Sequence, residues 1–528
     1  MTDLQRIIQA MSLPDFYPHK PGSVEVIQTH ISVVFIAGDL VYKIKKPVNF
    51  GFLNFSSLSK RRHYCHQEVV LNSRFSEGVY QGVVSIYRDE GRFNLEGCGE
   101  EIEVAVLMRR IPEDRIMINM LEQDLVTLDM LDQLAQRLSE LHRKARTSST
   151  IASYGSIPVI YQNVRENFAQ TERFIPETIS KRRYEEIASL SYGFLADHAD
   201  LFSKRVQQGF IRDCHGDLRL DHVVFGEKIM LIDCIEFNDR FRFGDIASDL
   251  SFLLMDLDDK AYPGFSRRIQ EQYAAVSRDP DIVKLLPFYK SYRAFVRGKV
   301  HSFALEEPEI SQEDRADHAE RAKNYFRLSS TYLNPAPPPA LIITFGFTGV
   351  GKSYIAAKAA QRLGTQVIRS DALRKRFLGL SETEQRLDKY GTGIYTATTT
   401  ESIYQTMFQE AEQHLKRGDS IILDASFLKG SHRRQAADIA RRFGAVFLII
   451  HCVAATEVVR QRLEKRMREK TDLSDGRWEI YVRQQEVFDA IQESEMPHVR
   501  RWDSGRNPKN FLEALVKELM FSHLSAEV

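Results

Sequence analysis

The feature that most constrains this chain is a glycine-rich octapeptide at residues 346–353, which reads Gly-Phe-Thr-Gly-Val-Gly-Lys-Ser. An apolar run at residues 341–345 precedes it, and residues 354–363 have the composition of a helix. The spacing G-x-x-x-x-G-K-S allows main-chain N–H groups to surround a phosphate chain at the N-terminus of the following helix. This order of strand, loop and helix predicts a P-loop that binds a nucleoside triphosphate, as opposed to a glycine-rich turn without a ligand.

Strand-like and helix-like segments alternate after residue 340. The strand segments are residues 341–345, 366–369, 420–424 and 446–452, and the helix segments are 354–363, 398–416, 431–443 and 456–469. Such alternation predicts an α/β domain with a parallel sheet covered by helices. Four of the residues 335–339 are prolines, which can continue neither a helix nor a central strand. Residues 334–339 are therefore predicted to link a domain at 1–333 to one at 340–528.

Each residue type in the P-loop has its own expected role. Lys352 is expected to reach the β- and γ-phosphates, and Ser353 to bind Mg²⁺ through its hydroxyl group. Asp424 ends an apolar strand segment and is expected on the Mg²⁺ side of the site, although a plain strand end would have the same pattern. The predicted ligands of the nucleotide, ATP or GTP, are Gly346, Thr348, Gly349, Val350, Gly351, Lys352 and Ser353.

Two further residues are candidates for catalysis next to the P-loop. Asp371 follows the second strand segment, and substrates of open α/β sheets bind at the carboxyl ends of their strands. Asp371 could accept the proton of an attacking hydroxyl group, and Arg374 could orient the acceptor. Asp371 could also serve as the N-cap of a helix that begins at Ala372, and both roles are compatible.

Residues 460–470 are dense in positive charge, with the sequence RQRLEKRMREK. Arg462 and Arg466 are four residues apart and share one face of a helix. The segment could be a lid whose arginines, Arg466 among them, cover the transferring phosphate. A solvated charged helix is the alternative interpretation.

Residues 340–528 resemble the P-loop kinase superfamily that includes polynucleotide 5′-hydroxyl kinases, gluconate kinases and zeta-type toxins. The resemblance rests on GFTGVGKS, the Asp371-x-x-Arg374 pair, the LDASF strand and the basic segment. The spacing of the Asp–Arg pair is most similar to that of polynucleotide kinase. This resemblance implies that Asp371 is the general base and that Arg374 contacts a phosphate of the acceptor, so a nucleic-acid end is among the expected partners.

A second constellation, His215-Gly216-Asp217-Leu218, precedes the P-loop and is followed by an apolar run that ends in Asp233. A phosphoryl-transfer site of the protein-kinase type needs one Asp near the acceptor hydroxyl and another that holds Mg²⁺. Upstream, β-rich segments begin at residue 24, and from about Leu121 onward the pattern is mostly helical. The first domain is therefore predicted to have a small sheet-rich lobe followed by a larger helical lobe.

Lys43 and Lys45 lie near the end of the third predicted strand and point to the same face, because strand side chains alternate. One of them, Lys43 in the preferred assignment, could pair with the α- and β-phosphates. Glu68, in the following helix, could hold that lysine by an ion pair. The alternative is a pair of solvated lysines on an edge strand.

Residues 20–330 resemble the aminoglycoside phosphotransferase family within the protein-kinase-like fold. HGDLRLDHV matches the catalytic loop of that family, and IDCIEFNDRFRFGDIASDL matches its metal-binding segment. The resemblance implies that Asp217 is the catalytic base and Asp233 a Mg²⁺ ligand. His222 stands where the family usually has a metal-binding Asn, and imidazole is a poorer partner for Mg²⁺. The phosphate-covering turn at residues 29–32 contains no glycine, so a nucleotide-sensing module stays open as an alternative to an active kinase.

Composition bounds the function further. Lys+Arg and Asp+Glu are both 72 in 528 residues, which argues against a globally basic nucleic-acid binder but not against a local basic groove. The five cysteines are scattered and lack CxxC spacing, which favours the reducing cytoplasm over a disulfide framework or a structural zinc site. No apolar run reaches the ~18 residues of a membrane span, so no membrane partner is expected.

The two-domain arrangement resembles bacterial proteins that fuse an aminoglycoside-phosphotransferase-like domain to an ATP-binding one. The sequence thus predicts an ATP-dependent phosphotransferase with a C-terminal P-loop site and a second kinase site in the N-terminal domain. Its acceptor would be a hydroxyl group of a small molecule, a sugar or a nucleic-acid 5′ end. The alternative is a nucleotide-dependent regulator or ATPase whose N-terminal domain senses a ligand and gates the P-loop domain. A toxin that resembles zeta-type kinases is a third hypothesis.

Overall fold

The computed structural model describes residues 3–307, 310–377, 396–469 and 476–524. The chain divides into two compact units. Unit 1 consists of Met1–Asp256 and Ile269–Lys323, and unit 2 consists of Leu257–Arg268 and Asn324–Val528. Within the described ranges, every helix is too short or too polar to cross a membrane.

Unit 1 begins with an antiparallel sheet of six strands in the order β1-β2-β3-β6-β4-β5. The strands are β1 (Val24–Gln28), β2 (Ser32–Ala37), β3 (Leu40–Lys45), β4 (Tyr80–Asp89), β5 (Arg92–Asn94) and β6 (Glu100–Arg109). Alternate side chains of β2 and β3 enter a core together with Ile7 and Met11 of helix α1 (Asp3–Met11). Helix α2 (Leu58–Asn72) is capped by the Ser57 hydroxyl, which accepts a hydrogen bond from Lys60 N, and it packs its Cys65 against β6.

The remainder of unit 1 is mostly helical. Its helices are α3 (Met117–Glu122), α4 (Leu128–Lys144), α5 (Ser149–Ser153), α6 (Ile157–Thr171), α7 (Lys181–Asp197), α8 (Ala199–Gln207), α9 (Asp239–Arg242), α10 (Ile246–Asp259), α11 (Pro263–Val276), α12 (Ile282–Ala304) and α13 (Gln312–Leu333). Of these, α10, α11 and α13 lie partly in unit 2. Two short antiparallel pairs of strands interrupt them, β7 (Ile211–Asp213) with β10 (Phe243–Asp245) and β8 (Val223–Phe225) with β9 (Ile229–Leu231). A sheet-rich part followed by a helical part is the arrangement predicted from the sequence, and it is confirmed.

Unit 2 contains a parallel five-stranded sheet in the order β12-β13-β11-β14-β15. The strands are β11 (Ala340–Phe345), β12 (Gln366–Arg369), β13 (Ile421–Asp424), β14 (Val446–Val453) and β15 (Val499–Asp503). The helices are α14 (Lys352–Leu363), α15 (Ser370–Phe377), α16 (Ala397–Lys416), α17 (Gly430–Arg442), α18 (Thr456–Glu469), α19 (Trp478–Glu486) and α20 (Lys509–Met520). The predicted parallel α/β fold is confirmed, but β15 and its flanking helices were not recognised in the sequence.

Helices cover both faces of this sheet, which explains why its central strands are continuous apolar runs. On one face Met407 of α16 and Ile439 of α17 are buried, and on the other Ile355 of α14 and Leu515 of α20 are buried. Every residue of β11 is buried. The loop that follows β11 therefore starts from a fixed point at the centre of the sheet.

A short segment that precedes the proline-rich linker in sequence belongs to unit 2. Gly264 lies so close to Gly364 that a Cβ atom on Gly264 would come within 2.3 Å of the main-chain nitrogen of Gly364. Next to this contact, the Arg362 guanidinium lies 4.4 Å from the centre of the Tyr262 ring. Residues 334–339 have neither helix nor strand, and the domain boundary placed there from the sequence stays a prediction.

Arg433 of α17 is fully buried and fixes the loop that follows β13. Its guanidinium donates to the carbonyl oxygens of Phe427 and Leu428 at 3.0 and 3.4 Å. Glu495 completes the site with two carboxylate contacts to Arg433, at 2.7 and 3.0 Å. The neighbouring arginines of Glu495 hold its pKa below the ordinary value, although burial acts in the opposite direction.

Replacing Glu495 with alanine should destabilise unit 2 by about 3 kcal/mol, because it leaves a buried guanidinium without its carboxylate. The measurement is the urea concentration at which unit 2 unfolds. As a matched control, Asp438→Ala removes an exposed partner of Arg441 and should change stability by less than about 0.5 kcal/mol. Equal effects of the two substitutions would contradict this account of Arg433.

Candidate functional site

The P-loop of unit 2 connects the buried strand β11 to the first turn of α14. Gly349 and Gly351 have φ angles of 82° and 94°, a region that favours glycine. A Cβ atom on Gly351 would lie 3.1 Å from Ser504 and 3.2 Å from Trp502, so the space beside it is already filled. The loop is thus built from main chain where a larger residue would not fit, as a close approach to phosphates requires.

A cavity of about 360 Å³ lies in front of the P-loop. The sequence-predicted residues that line it are Thr348, Gly349, Gly351, Lys352, Ser353, Asp371, Arg374, Asp424 and Arg466. The other two predicted residues of the loop serve its framework. Val350 is buried in the core, and Gly346 donates its N–H to the carbonyl oxygen of Ser426 at 3.2 Å. The structure therefore brings the P-loop, the candidate base and the candidate arginine to one place.

Lys352 is tied to its own loop. Its ammonium group donates to the Phe347 carbonyl oxygen at 2.7 Å. Burial lowers the pKa of Lys352 from its ordinary value, and the carboxylates of Asp424 and Asp371 oppose that effect. An anionic group in the cavity would favour the charged lysine, so Lys352 fits the expected contact with phosphate oxygens.

Asp424 and Ser353 line the same cavity and offer the oxygen ligands that Mg²⁺ prefers. Asp424 is 5% exposed, and its carboxylate accepts a hydrogen bond from the Thr344 hydroxyl at 3.2 Å. Arg369 Nε lies 3.4 Å from its other oxygen. These residues fit a magnesium–nucleotide complex, whose metal would offset the charge of the phosphates. Thr344 and Arg369 were not singled out in the sequence, since neither belongs to a motif.

Asp371 and Arg374 lie on α15 and contact each other, with 3.2 Å between Arg374 Nη1 and Asp371 Oδ1. Arg374 is 8% exposed, whereas more than a quarter of the Asp371 side chain is accessible. The N-cap interpretation placed Asp371 just before the helix. The helix begins at Ser370, so Asp371 instead lies inside its first turn. The Asp371 carboxylate is thus held by an arginine at the edge of the cavity.

Helix α19 contacts the P-loop directly, a contact that was not predicted from the sequence. The Gln484 side chain accepts a hydrogen bond from Thr348 N at 2.7 Å, and the Tyr481 ring packs edge-on against Phe347. Gln484 lines the cavity as well. Helix α19 was not recognised in the sequence, and no local pattern tells which loop a helix touches.

The two arginines of the basic segment have different surroundings. Arg466 lines the cavity, as predicted for a residue that covers the phosphate. Arg462 instead donates to the hydroxyl and the carbonyl oxygen of Ser504 at 2.7 and 3.0 Å. Lys470, the last residue of the segment, lies outside the described residues. The lid function of this segment stays a prediction.

In unit 1, Lys43 and Lys45 of β3 both reach Glu68. The distances to its two oxygens are 2.8 Å from Lys43 and 2.6 Å from Lys45. Lys43 also lies 2.5 Å from Asp233, and Lys45 forms an ion pair with Glu236, a residue that was not predicted. β3 lies between β2 and β6, and Lys45 is 1% exposed, so the interpretation as solvated edge lysines is wrong. The geometry places Lys43 nearer to the predicted metal ligand.

His222 lies between the two aspartates of the unit 1 site. Its Nδ1 is 2.7 Å from the main-chain oxygen of Asp217, and its Nε2 is 3.8 Å from Asp233 Oδ2. Burial raises the pKa of Asp217, but Arg219 and His222 outweigh it and bring that pKa below the ordinary value. Asp233 has a φ of 59°, and Lys43 and His222 hold its pKa low against the effect of burial. The predicted base and both predicted metal ligands therefore form one cluster.

The turn at residues 29–32 is closed by a side chain. The Thr29 hydroxyl accepts hydrogen bonds from Ser32 N at 3.0 Å and from Ile31 N at 3.4 Å. Because these N–H groups have a partner within the turn, they are not free to surround a phosphate. This agrees with the expectation from its lack of glycine.

Asp249 of α10 fixes the loop just before Asp217 and was missed in the sequence. Its carboxylate accepts hydrogen bonds from the N–H groups of His215 and Gly216 at 3.0 and 2.8 Å. The His215 ring donates from Nε2 to the Ile232 carbonyl oxygen at 2.8 Å. In the part of the chain that the structure describes, the buried Nδ1 of His215 has no hydrogen-bond partner, so the neutral ring fits this site.

Burial lowers the pKa of His215 from 6.5 to about 4. The unfolded chain therefore takes up a proton that the folded chain excludes, and the stability of unit 1 should fall as the pH drops from about 6.5 towards 4. The loss due to His215 should reach about 3 kcal/mol. Urea unfolding of unit 1 at pH 7 and pH 4, without nucleotide or Mg²⁺, measures it. His215→Gln should flatten the pH dependence, and parallel slopes for the two proteins would refute the assignment.

Known proteins resemble the chain in the same two regions. Residues 341–491 match the family model described as AAA domain, and residues 93–286 match the one described as phosphotransferase enzyme family. Uncharacterized proteins of Mycobacterium tuberculosis H37Rv and of Mycobacterium bovis are each 28% identical over 447 residues, 84% of this chain and 86% of theirs.

Solved structures also resemble parts of the chain. A choline/ethanolamine kinase family protein from Mesorhizobium loti is 14% identical and covers 62% of this chain and 98% of its own, with a TM-score of 0.37. A gluconokinase from Sinorhizobium meliloti is 16% identical and covers 36% and 94%, with a TM-score of 0.25. The chain thus joins a kinase-like region that matches the phosphotransferase enzyme family to a P-loop kinase domain that matches the AAA domain family.

Proposed function

We propose that the protein is an ATP-dependent phosphotransferase and that the site in unit 2 transfers the γ-phosphoryl group to a hydroxyl acceptor. One observation carries the proposal. The P-loop lysine, the candidate metal ligands and an accessible carboxylate paired with an arginine line a single cavity. The matches to two families with phosphate chemistry support it.

The chemistry assigned to the chain's own residues is simple. Asp371 accepts the proton of the acceptor hydroxyl while the acceptor oxygen bonds to the γ-phosphorus. The bond between that phosphorus and the β,γ-bridging oxygen breaks, and the nucleoside diphosphate leaves. Lys352 and Arg466 lie where they can stabilise negative charge on the transferring group, and Arg374 orients the Asp371 carboxylate.

A second cavity, of about 320 Å³, continues from the P-loop and offers a place for the nucleoside. Gly349, Gly351 and Arg466 line both cavities. In the second one, the Tyr354 and Trp502 rings stack with their centres 6.1 Å apart. We assign the purine base to this cavity, since aromatic faces and arginines favour planar rings. ATP and GTP are both compatible with it.

We further propose a second phosphotransferase site in unit 1. Asp217, Asp233 and the ion pair of Lys43 with Glu68 form the set that protein-kinase-like catalysis uses. The acceptor of this site is a separate question from that of unit 2. An aminoglycoside, being a polycation, would need several carboxylates that face it.

The alternative function is a nucleotide-dependent regulator, in which ligand binding to unit 1 gates nucleotide use by unit 2. Its motivation is the glycine-free turn of unit 1, whose N–H groups are already bonded to Thr29. A regulator would hydrolyse ATP at the same rate with or without any hydroxyl compound. A kinase would consume ATP in proportion to a phosphorylated product.

Asp371→Asn should lower phosphoryl transfer by about 10²- to 10⁴-fold while nucleotide affinity changes little, because an amide cannot accept the proton. The measurement combines product formation from labelled ATP, using metabolite mixtures and 5′-hydroxyl oligonucleotides, with the Kd for a non-hydrolysable ATP analogue. Asp419→Asn, an exposed carboxylate next to Arg417, is the matched control. Transfer at the wild-type rate by Asp371→Asn would remove Asp371 as the base.

Asp217→Asn tests the site of unit 1 by the same screen. If unit 1 is a kinase, this variant should lose its own set of labelled products and keep those that depend on Asp371. Asp221→Asn, an exposed carboxylate in the same loop, serves as its control. A product set that is identical in wild type and Asp217→Asn would favour the regulator for unit 1.

A further inference from the structure

The cavity of unit 2 carries an excess of positive charge. Five cationic side chains line it, but only two carboxylates of the described residues line it. The cations are Lys352, Arg369, Arg374, Lys429 and Arg466, and the carboxylates are Asp371 and Asp424. A nucleotide accounts for part of this excess, but its metal ion neutralises some of the phosphate charge.

The charges belong to two groups of residues. The first group is the P-loop with Lys352, and Asp424 and Arg466 line the cavity with it. The second group lies where α15, which carries Arg374, packs against α16, which carries Tyr404. Asp371 lies on α15 and contacts Arg374 at 3.2 Å, so the hydroxyl that it deprotonates lies near the second group.

The second group of residues is built around Tyr404. The His432 ring stacks on the Tyr404 ring at 3.9 Å, and its Nε2 lies 3.0 Å from Glu401, which fixes the imidazole. His432 is 4% exposed. Lys429 is the residue that precedes the same helix, and it lines the cavity together with His432. Arg374 completes the set, and it is almost completely buried.

Lys429 differs from the two arginines of the cavity that form ion pairs. Arg374 and Arg369 each have a carboxylate within 3.4 Å. Lys429, which is exposed at the cavity, has no ion-pair partner anywhere in the described ranges. An exposed cation that lines a cavity, without a carboxylate of its own, favours an anionic ligand.

We propose that the acceptor is an anionic alcohol, with a phosphate or carboxylate group that Lys429, Arg374 and His432 receive while Asp371 faces its hydroxyl. The proposal rests on the phosphotransferase function of unit 2 and narrows its substrate class. A small sugar acid or sugar phosphate and the 5′ end of a nucleic acid share this chemistry. Neutral alcohols of the same size are excluded as good acceptors.

The first experiment needs no knowledge of the acceptor. The protein is saturated with a non-hydrolysable ATP analogue and Mg²⁺, which fills the P-loop, and the binding of radiolabelled inorganic phosphate is measured by equilibrium dialysis. We expect millimolar binding by the wild type and at least tenfold weaker binding by Lys429→Glu. Lys416→Glu, an exposed lysine at the end of α16, should bind phosphate as the wild type does.

The outcomes separate the inference from the function on which it rests. If the analogue itself does not bind, the proposed function fails. If the analogue binds equally to all three proteins, the function stands. The anionic acceptor is then refuted if the loaded wild type takes up no phosphate, or if Lys429→Glu takes up as much phosphate as the wild type.

A second experiment distinguishes the two sources of an anionic alcohol. Labelled ATP is offered with matched sets, glycerol with glycerate and glycerol 3-phosphate, ribose with ribonate and ribose 5-phosphate, and a nucleoside with a 5′-hydroxyl oligonucleotide. Within each set, the anionic members should be phosphorylated at least tenfold faster, and Lys429→Glu should reverse or abolish this preference. Faster transfer to a neutral member would overturn the proposal. Transfer confined to the oligonucleotide assigns the anion to a nucleic acid, and transfer to the small anions assigns it to a metabolite.

Discussion

Charge held away from water is the constraint on which both units depend. An isolated buried ion costs several kcal/mol, so each must have a partner of opposite sign or a set of hydrogen bonds. Glu68 holds two lysines in unit 1, and Glu495 holds Arg433 in unit 2. These pairs contribute little net stability compared with an apolar core. Their effect is to fix where charged groups lie, and phosphate chemistry requires that.

The same constraint explains the geometry of the loops that carry the sites. The N–H groups of His215 and Gly216 point to one carboxylate, Asp249, which fixes the loop just before Asp217. In unit 2 the corresponding task is done by a strand, because β11 is buried at the centre of a parallel sheet and the P-loop continues from its end. One site is thus oriented by a buried side chain and the other by the sheet.

Much of this could be predicted from the sequence, because the signals are local. Each apolar run of a parallel strand, like the spacing of the P-loop residues, is a signal contained within about ten consecutive residues. Asp217 was recognised from the HGDL motif, and Asp233 and Asp371 because each follows a strand-like segment. Helix α19 and strand β15 were not, since their amphipathic patterns are short and carry no motif. The bounds of most recognised elements differ from those predicted by one or two residues.

What could not be predicted are contacts between residues distant in sequence. Gln484 meets Thr348, Glu236 meets Lys45, and His432 meets Glu401, and no spacing in the sequence relates the two residues of any of these pairs. The positive charge of the proposed acceptor site also depends on residues that are distant in sequence. It arises where α15, α16 and the start of α17 meet, so it is a property of the fold and not of any segment. A motif shared by many phosphotransferases identifies the phosphate donor, because all of them bind the same phosphate chain. The acceptor differs between them, and such long-range contacts therefore determine which acceptor binds.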